Sequence, residues 1–390
     1  MRDDAPLRVL FVVHHRMDRA AGVSGATLAL GGALAQRGHR VSYYGFDDAF
    51  GAETGADVPA MLRFPWYAAR HLMQTASSYD VIDASTGDAW VWGSLGRPGG
   101  RRTALVTRSH GLEHVLAADL RRRARIGQVR LSRKYPLYHG GFRLWEVARS
   151  LHVADAQVFL NAADRCHAIQ RLGVAGSRAV VIPNGISDRV LALPPSGATS
   201  PKRWIELAFI GSWIPRKGTK AVVEMAQSLT RRNVPFRLRL LGTGAPDEVV
   251  LDSFDEGSRS SVTAVRQFAP GALPALLDGA AVLLHPSWTE GFSLALVEGM
   301  AAGLAPVATR SGGATTVIQH ERSGLLLANE SGDALASAVE RLAGDVVLLA
   351  RMRSDARQSV RSLRWDAIAE RTAEVYRGAV GRRAGRMPSA

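Results

Sequence analysis

A chain of 390 residues exceeds what one hydrophobic core usually organises, so two domains are expected. Its 46% hydrophobic and 22% charged residues exclude a disordered, collagen-like or low-complexity protein. Cys166 is the only cysteine, which excludes an internal disulfide, and the formal charge of +14 points to an anionic partner: a phosphorylated substrate, a membrane surface or a nucleic acid.

The chain opens with a strand-like run over 8–13, a loop, a helix over about 27–37 stopped by Gly38-His39, and a strand over 40–44. The apolar run 9–13 is too short for a signal peptide or a membrane span, and with the single cysteine it predicts a cytoplasmic setting. Ala21-Gly22-Val23-Ser24-Gly25 reads as a flexible loop at a helix N-terminus, competent to meet a phosphate. Further strands are expected at 81–82, 104–107, 156–160 and 179–182, with helical stretches between them. That alternation predicts an open, mostly parallel sheet covered on both faces.

Ser109-His110-Gly111-Leu112-Glu113-His114 follows the strand at 104–107, which puts His110 at a strand's carboxyl end. A core or surface histidine is the commoner reading of such a residue. No carboxylate or thiol completes a metal-ligand set with His110 and His114 at convincing spacing. The tract 120–149 carries Arg121, Arg122, Arg123, Arg125, Arg130, Arg133, Lys134, Arg143 and Arg149 with one acid, Glu146. Ile126, Tyr135, Phe142 and Trp145 are interleaved with them. The mixture reads three ways: a segment seeking an anionic membrane surface, a solvated helix with a buried apolar face, or an anionic acceptor pocket.

Residues 191–202, LALPPSGATSPK, form the clearest linker. A second alternating series follows: strand 206–210, helix 219–231, strand 236–241, two further βα units over 261–303 and strand 305–308. A charged helical tail spans 345–381. The expected organisation is a first domain over 1–185, a linker over 186–202, a second domain over 203–365, and a tail over 366–390 packing back towards the first. The fold class is α/β, two Rossmann-like doubly wound domains, with a ligand expected at the strand ends in the cleft between them.

In Gly211-Ser212-Trp213-Ile214-Pro215-Arg216-Lys217-Gly218, Arg216 and Lys217 stand after a strand and before a helix, where they could neutralise a diphosphate. A solvated basic turn is the plainer alternative. Gly242-Thr243-Gly244 ends another strand and permits close approach of a ligand, which is weak evidence taken alone. The segment 283–303, LLHPSWTEGFSLALVEGMAAG, is the most informative. A buried strand over 282–284 leads to a turn at Gly291 and a helix from about Ser293 to Ala302. Such a helix leaves the amides of Phe292, Ser293 and Leu294 without partners, a setting that suits an anion. Glu290 before them and Glu298 two turns later are acceptor-only groups fit to hold sugar hydroxyls. The alternative is a βα unit with solvated acids.

Taken in this order, the loops resemble those of the retaining glycosyltransferases of family 4, which have the two-domain GT-B fold. AGVSG with LALGGALAQRGHRV is similar to the family's glycine loop and helix, SHGLEH to its histidine segment, and VIPNGI to its inter-domain signature. FIGSWIPRKG, LLGTG and the paired-glutamate element EGFSLALVE extend the likeness over nearly the whole chain. The resemblance implies that Arg216, Lys217, Gly244 and the backbone of Gly291, Phe292, Ser293 and Leu294 bind a nucleotide diphosphate sugar. It implies that Glu298 holds the ribose, that Glu290 and His110 contact the transferred sugar, and that Gly22 lies near the diphosphate. Ala21 and Ser212 depart from the residues many relatives carry there. The implied reaction is hexosyl transfer with retention to a sugar, lipid-linked or small-metabolite acceptor, with no metal and no other cofactor. Such chemistry serves glycoconjugate, cell-envelope or secondary-metabolite biosynthesis in the cytoplasm, with at most peripheral contact at a membrane's inner face and no nucleic acid. The alternatives are a sugar-nucleotide epimerase on the same scaffold and a non-catalytic nucleotide-sugar binder.

Overall fold

Short apolar runs separated by glycine- and proline-containing turns become two parallel six-stranded sheets. The computed structural model describes residues 5–18, 22–51, 57–192 and 203–385. The chain divides into two units, 1–185 with 365–390, and 186–364.

In the first unit β1 (Arg8–Val12), β2 (Arg40–Tyr44), β3 (Val81–Ser85), β4 (Ala104–Ser109), β5 (Ala156–Phe159) and β6 (Ala179–Val181) lie in the order β2-β1-β3-β4-β5-β6. Every pair is parallel. Strands covered on both faces need apolar side chains on both, and β3, β4 and β5 are buried throughout. The helix after β1 spans Gly22–Gln36, starting five residues before the expected 27. The supposed flexible loop is therefore its first turn. Burial of Ser24, Ala26 and Thr27 offsets the roughly 1 kcal/mol that each glycine costs a helix. Ala21 lies outside the described residues.

The tail expected as one helical stretch is two helices, Val346–Ser359 in the second unit and Trp365–Ala384 in the first. The latter adds Ile368, Ala369, Ala373, Tyr376 and Ala379 to the core built on Val9, Phe11, Val81 and Val106. Tyr376 Oη donates to Asp83 Oδ2 at 2.6 Å, and Arg108 donates to the same oxygen at 2.7 and 3.1 Å. A buried carboxylate is tolerable because these donors and the guanidinium charge replace its water.

In the second unit β7 (Ile205–Ile210), β8 (Phe236–Leu241), β9 (Val262–Val265), β10 (Val282–His285), β11 (Ala305–Thr309) and β12 (Leu325–Leu327) lie in the order β12-β11-β10-β7-β8-β9, all parallel. Strand order reverses between β7 and β10, so their carboxyl ends diverge around a crevice. Residues 186–192 belong to this unit: Ile186 pairs with Arg364, and Ser187 caps a single turn, Asp188–Leu191. Residues 193–202 of the expected linker lie outside the described residues.

Candidate functional site

The loops leaving β7 and β10 are held together at the point where the second sheet reverses its order. After β7 a 3-10 turn, Pro215–Lys217, runs into Gly218 at φ 76°. A side-chain carbon at Gly218 would stand 2.2 Å from the carbonyl oxygen of Pro286, so only glycine lets the two loops meet. Trp288 N donates to Arg216 O at 2.9 Å and Arg216 Nη1 donates to Thr289 O at 3.1 Å. From the far side Gly313 N donates to Glu290 O at 2.9 Å, and Thr309 Oγ1 to Ser287 O at 2.5 Å. The loop 286–292 is thus pinned by β7 and β11 together.

This frame sets Lys217 Nζ 2.5 Å from Glu290 Oε1, with Arg216 Nη1 at 3.6 Å from the same oxygen. Burial alone would raise the Glu290 carboxyl, but Lys217, His285 and Arg216 outweigh it and hold the group below the usual range. His285, at the end of β10, is driven down to about 4 by burial, with Lys217 adding to the effect; its Nε2 has no partner among the described residues. The helix beyond spans Leu294–Ala301, and Ser293 Oγ accepts from Leu296 N at 3.3 Å. That cap leaves Phe292, Ser293 and Leu294 with no acceptor for their amides among the described residues. Glu298 sits partly buried on this helix with no hydrogen-bond or ion-pair partner among the described residues, and burial pushes it up to about 7. Cations, free amides and two carboxylates in different states can together grip a diphosphate and the hydroxyls attached to it.

Residues 205–345 match the family model "Glycosyl transferases group 1" and residues 20–189 the model "Glycosyltransferase Family 4". The chain belongs to the family 4-like glycosyltransferases. Its fold is GT-B, and it is similar to sucrose-phosphate synthase from Thermosynechococcus elongatus, with a TM-score of 0.75 at 21% identity over 95% of this chain and 98% of that one. In sequence this glycosyltransferase is 29% identical to the GDP-mannose-dependent alpha-(1-6)-phosphatidylinositol monomannoside mannosyltransferase of Mycobacterium tuberculosis. That match runs over 257 residues, 61% of this chain and 67% of the relative. It is 26% identical to the D-inositol 3-phosphate glycosyltransferase of Acidothermus cellulolyticus over 330 residues, 80% of this chain and 70% of that protein.

The remaining candidate residues of the glycosyltransferase lie on other elements. Gly244, at φ 69°, follows β8, and a side chain there would meet nothing within 4 Å. Gly22 and His110 belong to the first unit. His110 follows β4, and burial, then the charges of Arg108, His15 and His14, drive it down to about 3, so it is a neutral imidazole. The basic tract is not one surface. Arg123 is buried with Nε 2.7 Å from Asp119 Oδ2, and Arg143 is buried as well.

Arg143 belongs to a polar cluster that sequence reasoning missed, at the carboxyl ends of β1 and β3 where the first sheet reverses its order. His14 Nδ1 lies 2.6 Å from Asp88 Oδ1, and Asp88 Oδ2 accepts the His14 amide at 2.9 Å. Arg143 Nη2 donates to Thr86 O at 2.8 Å and to Glu113 Oε1 at 3.2 Å, and stands 3.5 Å from His14 Nε2. Gly87 stands at φ 83°, where a side chain is strained, and a side-chain carbon there would sit 2.3 Å from Arg143 Nη1. Burial pushes Asp88 up to about 8 and His14 down to about 3, so the pair carries no net charge at neutral pH. The signal available in the sequence was a polar residue at the end of each of the two strands.

Proposed function

We propose that the glycosyltransferase moves a hexosyl group from a nucleotide diphosphate sugar to an acceptor hydroxyl with retention of anomeric configuration. The observation that carries this reading is the convergence of Lys217, Arg216, Glu290 and the free amides of 292–294 at the switch point of the second sheet. A diphosphate arriving there competes with Glu290 for the Lys217 ammonium and accepts hydrogen bonds from those amides. In the reaction the bond between the anomeric carbon and the diphosphate oxygen breaks. The acceptor oxygen bonds to that carbon on the same face, and the acceptor's proton passes to the departing phosphate. Negative charge grows on the diphosphate as the bond breaks, so fixed cations stabilise the transition state more than the bound donor.

Glu290, kept ionised by Lys217, is assigned to the transferred sugar, and neutral His110 and Gly22 are assigned to the sugar and diphosphate from the first unit. Glu298 is assigned to the ribose. A diol donating two hydrogen bonds favours the carboxylate and reverses what burial does to it. The leaving group's countercharge comes from side chains and amides, so no metal is required: chelation with EDTA is expected to leave the rate unchanged. The relatives' names carry GDP-mannose, phosphatidylinositol monomannoside and D-inositol 3-phosphate. A polyol or sugar hydroxyl on an anionic small molecule or lipid headgroup is therefore the acceptor class we assign.

The test is a panel of UDP-, GDP-, ADP- and TDP-sugars scored for thermal stabilisation, followed by product analysis by NMR with each stabilising donor and a set of inositol phosphates and lipids. Transfer with retained configuration is the expected result. Conversion of the donor without acceptor would identify an epimerase, and stabilisation without turnover a binder; either would overturn the proposal.

A further inference from the structure

Three exposed aromatic residues of the first unit, Trp66, Trp145 and Phe142, are gathered around Trp90. Trp66, 59% exposed, and Trp145, 50% exposed, both touch Trp90, at ring-centroid distances of 6.0 and 4.9 Å. Phe142 stacks on Trp145 at 5.6 Å. Trp66 lies on the helix Val58–Thr75 between Arg63 and Arg70, a spacing that puts all three on one side. Trp145 opens the helix Arg143–Val153, with Phe142 one turn before it and Arg149 one turn after. Arg149 Nε reaches across to Ser94 Oγ at 2.9 Å, beside exposed Leu95. Two helices and the turn between them therefore present an apolar strip edged by exposed guanidinium groups.

The strip lacks negative charge. No acid occurs in 58–75 or 90–103, and the one acid of 120–149, Glu146, is buried and accepts the Trp90 Nε1 proton at 3.0 Å. Contiguous apolar surface is costly in water unless something covers it. Tryptophan, with an apolar body and a polar N–H, settles at the boundary between lipid headgroups and acyl chains, and arginine pairs with lipid phosphates. Exposed Leu95 offers nothing to a stacked base, so the strip fits acyl chains better than it fits a nucleic acid. Among the described residues no helix is long and apolar enough to cross a membrane.

We propose that this face docks the first unit on an anionic bilayer surface, with Trp66, Trp145 and Phe142 entering the headgroup boundary and Arg63, Arg70 and Arg149 meeting lipid phosphates. The surface is narrower than the basic tract 120–149, because Arg123 and Arg143 are turned inward and helix Val58–Thr75 supplies half of it.

Co-sedimentation of the full chain with phosphatidylcholine–phosphatidylglycerol vesicles tests this, with phosphatidylcholine vesicles as the control. The assay needs no transfer reaction, so its outcome is independent of the donor reading. Binding to the anionic vesicles and little to the neutral ones is expected. Trp66→Ala with Trp145→Ala should lower the partition coefficient about tenfold or more. Each of Arg63→Ser, Arg70→Ser and Arg149→Ser should lower it about fivefold. Leu95→Asp, at an exposed position, should weaken binding without altering the thermal melt, which guards against a tryptophan variant that fails to fold. Absence of sedimentation, equal binding to both vesicle types, or full retention by both the tryptophan and Leu95→Asp variants would overturn the proposal. So would single-stranded oligonucleotide binding that depends on the tryptophans while vesicle binding does not.

Discussion

Replacing Glu298 with Gln should stabilise the glycosyltransferase at alkaline pH while impairing its work. The carboxyl is lifted from its ordinary 4.5 to about 7 by burial and has no protein partner among the described residues to offset this. The unfolded chain gives up that proton near 4.5 and the folded chain only near 7, so raising the pH between these values costs the fold stability. Above about pH 8 the accumulated cost is about 3 kcal/mol, from roughly 1.4 kcal/mol per tenfold change in proton affinity. Glutamine has the same shape and no charge to bury. Glu298→Gln should therefore match the parent at pH 4.5 and exceed it by up to about 3 kcal/mol at pH 8.5 in urea unfolding. The same variant should bind donor more weakly, because the proposed ribose contact has lost its charged acceptor. An equal effect at both pH values, or destabilisation at pH 8.5, would refute the reasoning. Nucleotide addition offers a cross-check, because a bound ribose should shrink the gain.

Lys217→Ala should lower kcat by about 100- to 1000-fold, the usual cost of removing one group that meets developing charge. It should also move the acid limb of the pH–rate profile upward, since burial of Glu290 then acts without the cation that holds it down; steady-state kinetics from pH 5 to 9 checks both. Gly218→Ala combines a left-handed backbone at φ 76° with a contact of 2.2 Å to Pro286 O, and should cost about 3 kcal/mol in chemical denaturation. Gly244→Ala, at φ 69° with open space around it, should cost only about 1–2 kcal/mol. In the first unit Asp88→Asn should remove the loss of stability that the raised Asp88 carboxyl imposes between about pH 4 and 8, checked by urea unfolding at both pH values.

The strands were legible because parallel strands covered on both faces must be apolar along their whole length, as in 104–107 and 206–210. Lys217 and Glu290 stood out for a related reason: each follows such a strand, and strand ends are where open α/β sheets bind ligands. Their 2.5 Å contact was not legible, since it joins residues 73 apart and depends on β7 and β10 being neighbours. The same limit hid the His14–Asp88 pair, 74 residues apart. Charge counting left the tract 120–149 open among three readings, because composition does not distinguish Arg125, which is exposed, from Arg123, which is enclosed. The helix start at Gly22 was obscured by glycine's poor helical propensity, a local preference that packing against the sheet overrode.

The helix Trp365–Ala384 has a consequence for how the protein is made. Residues 186–364 form a contiguous stretch, whereas the core around Val9, Val81 and Val106 waits for Ile368, Ala373 and Tyr376. Vectorial synthesis therefore favours closure of the later-encoded sheet ahead of the earlier one. Until residues 365–384 have been made, the nascent first unit carries an unfilled apolar groove and Asp83 without its phenolic donor.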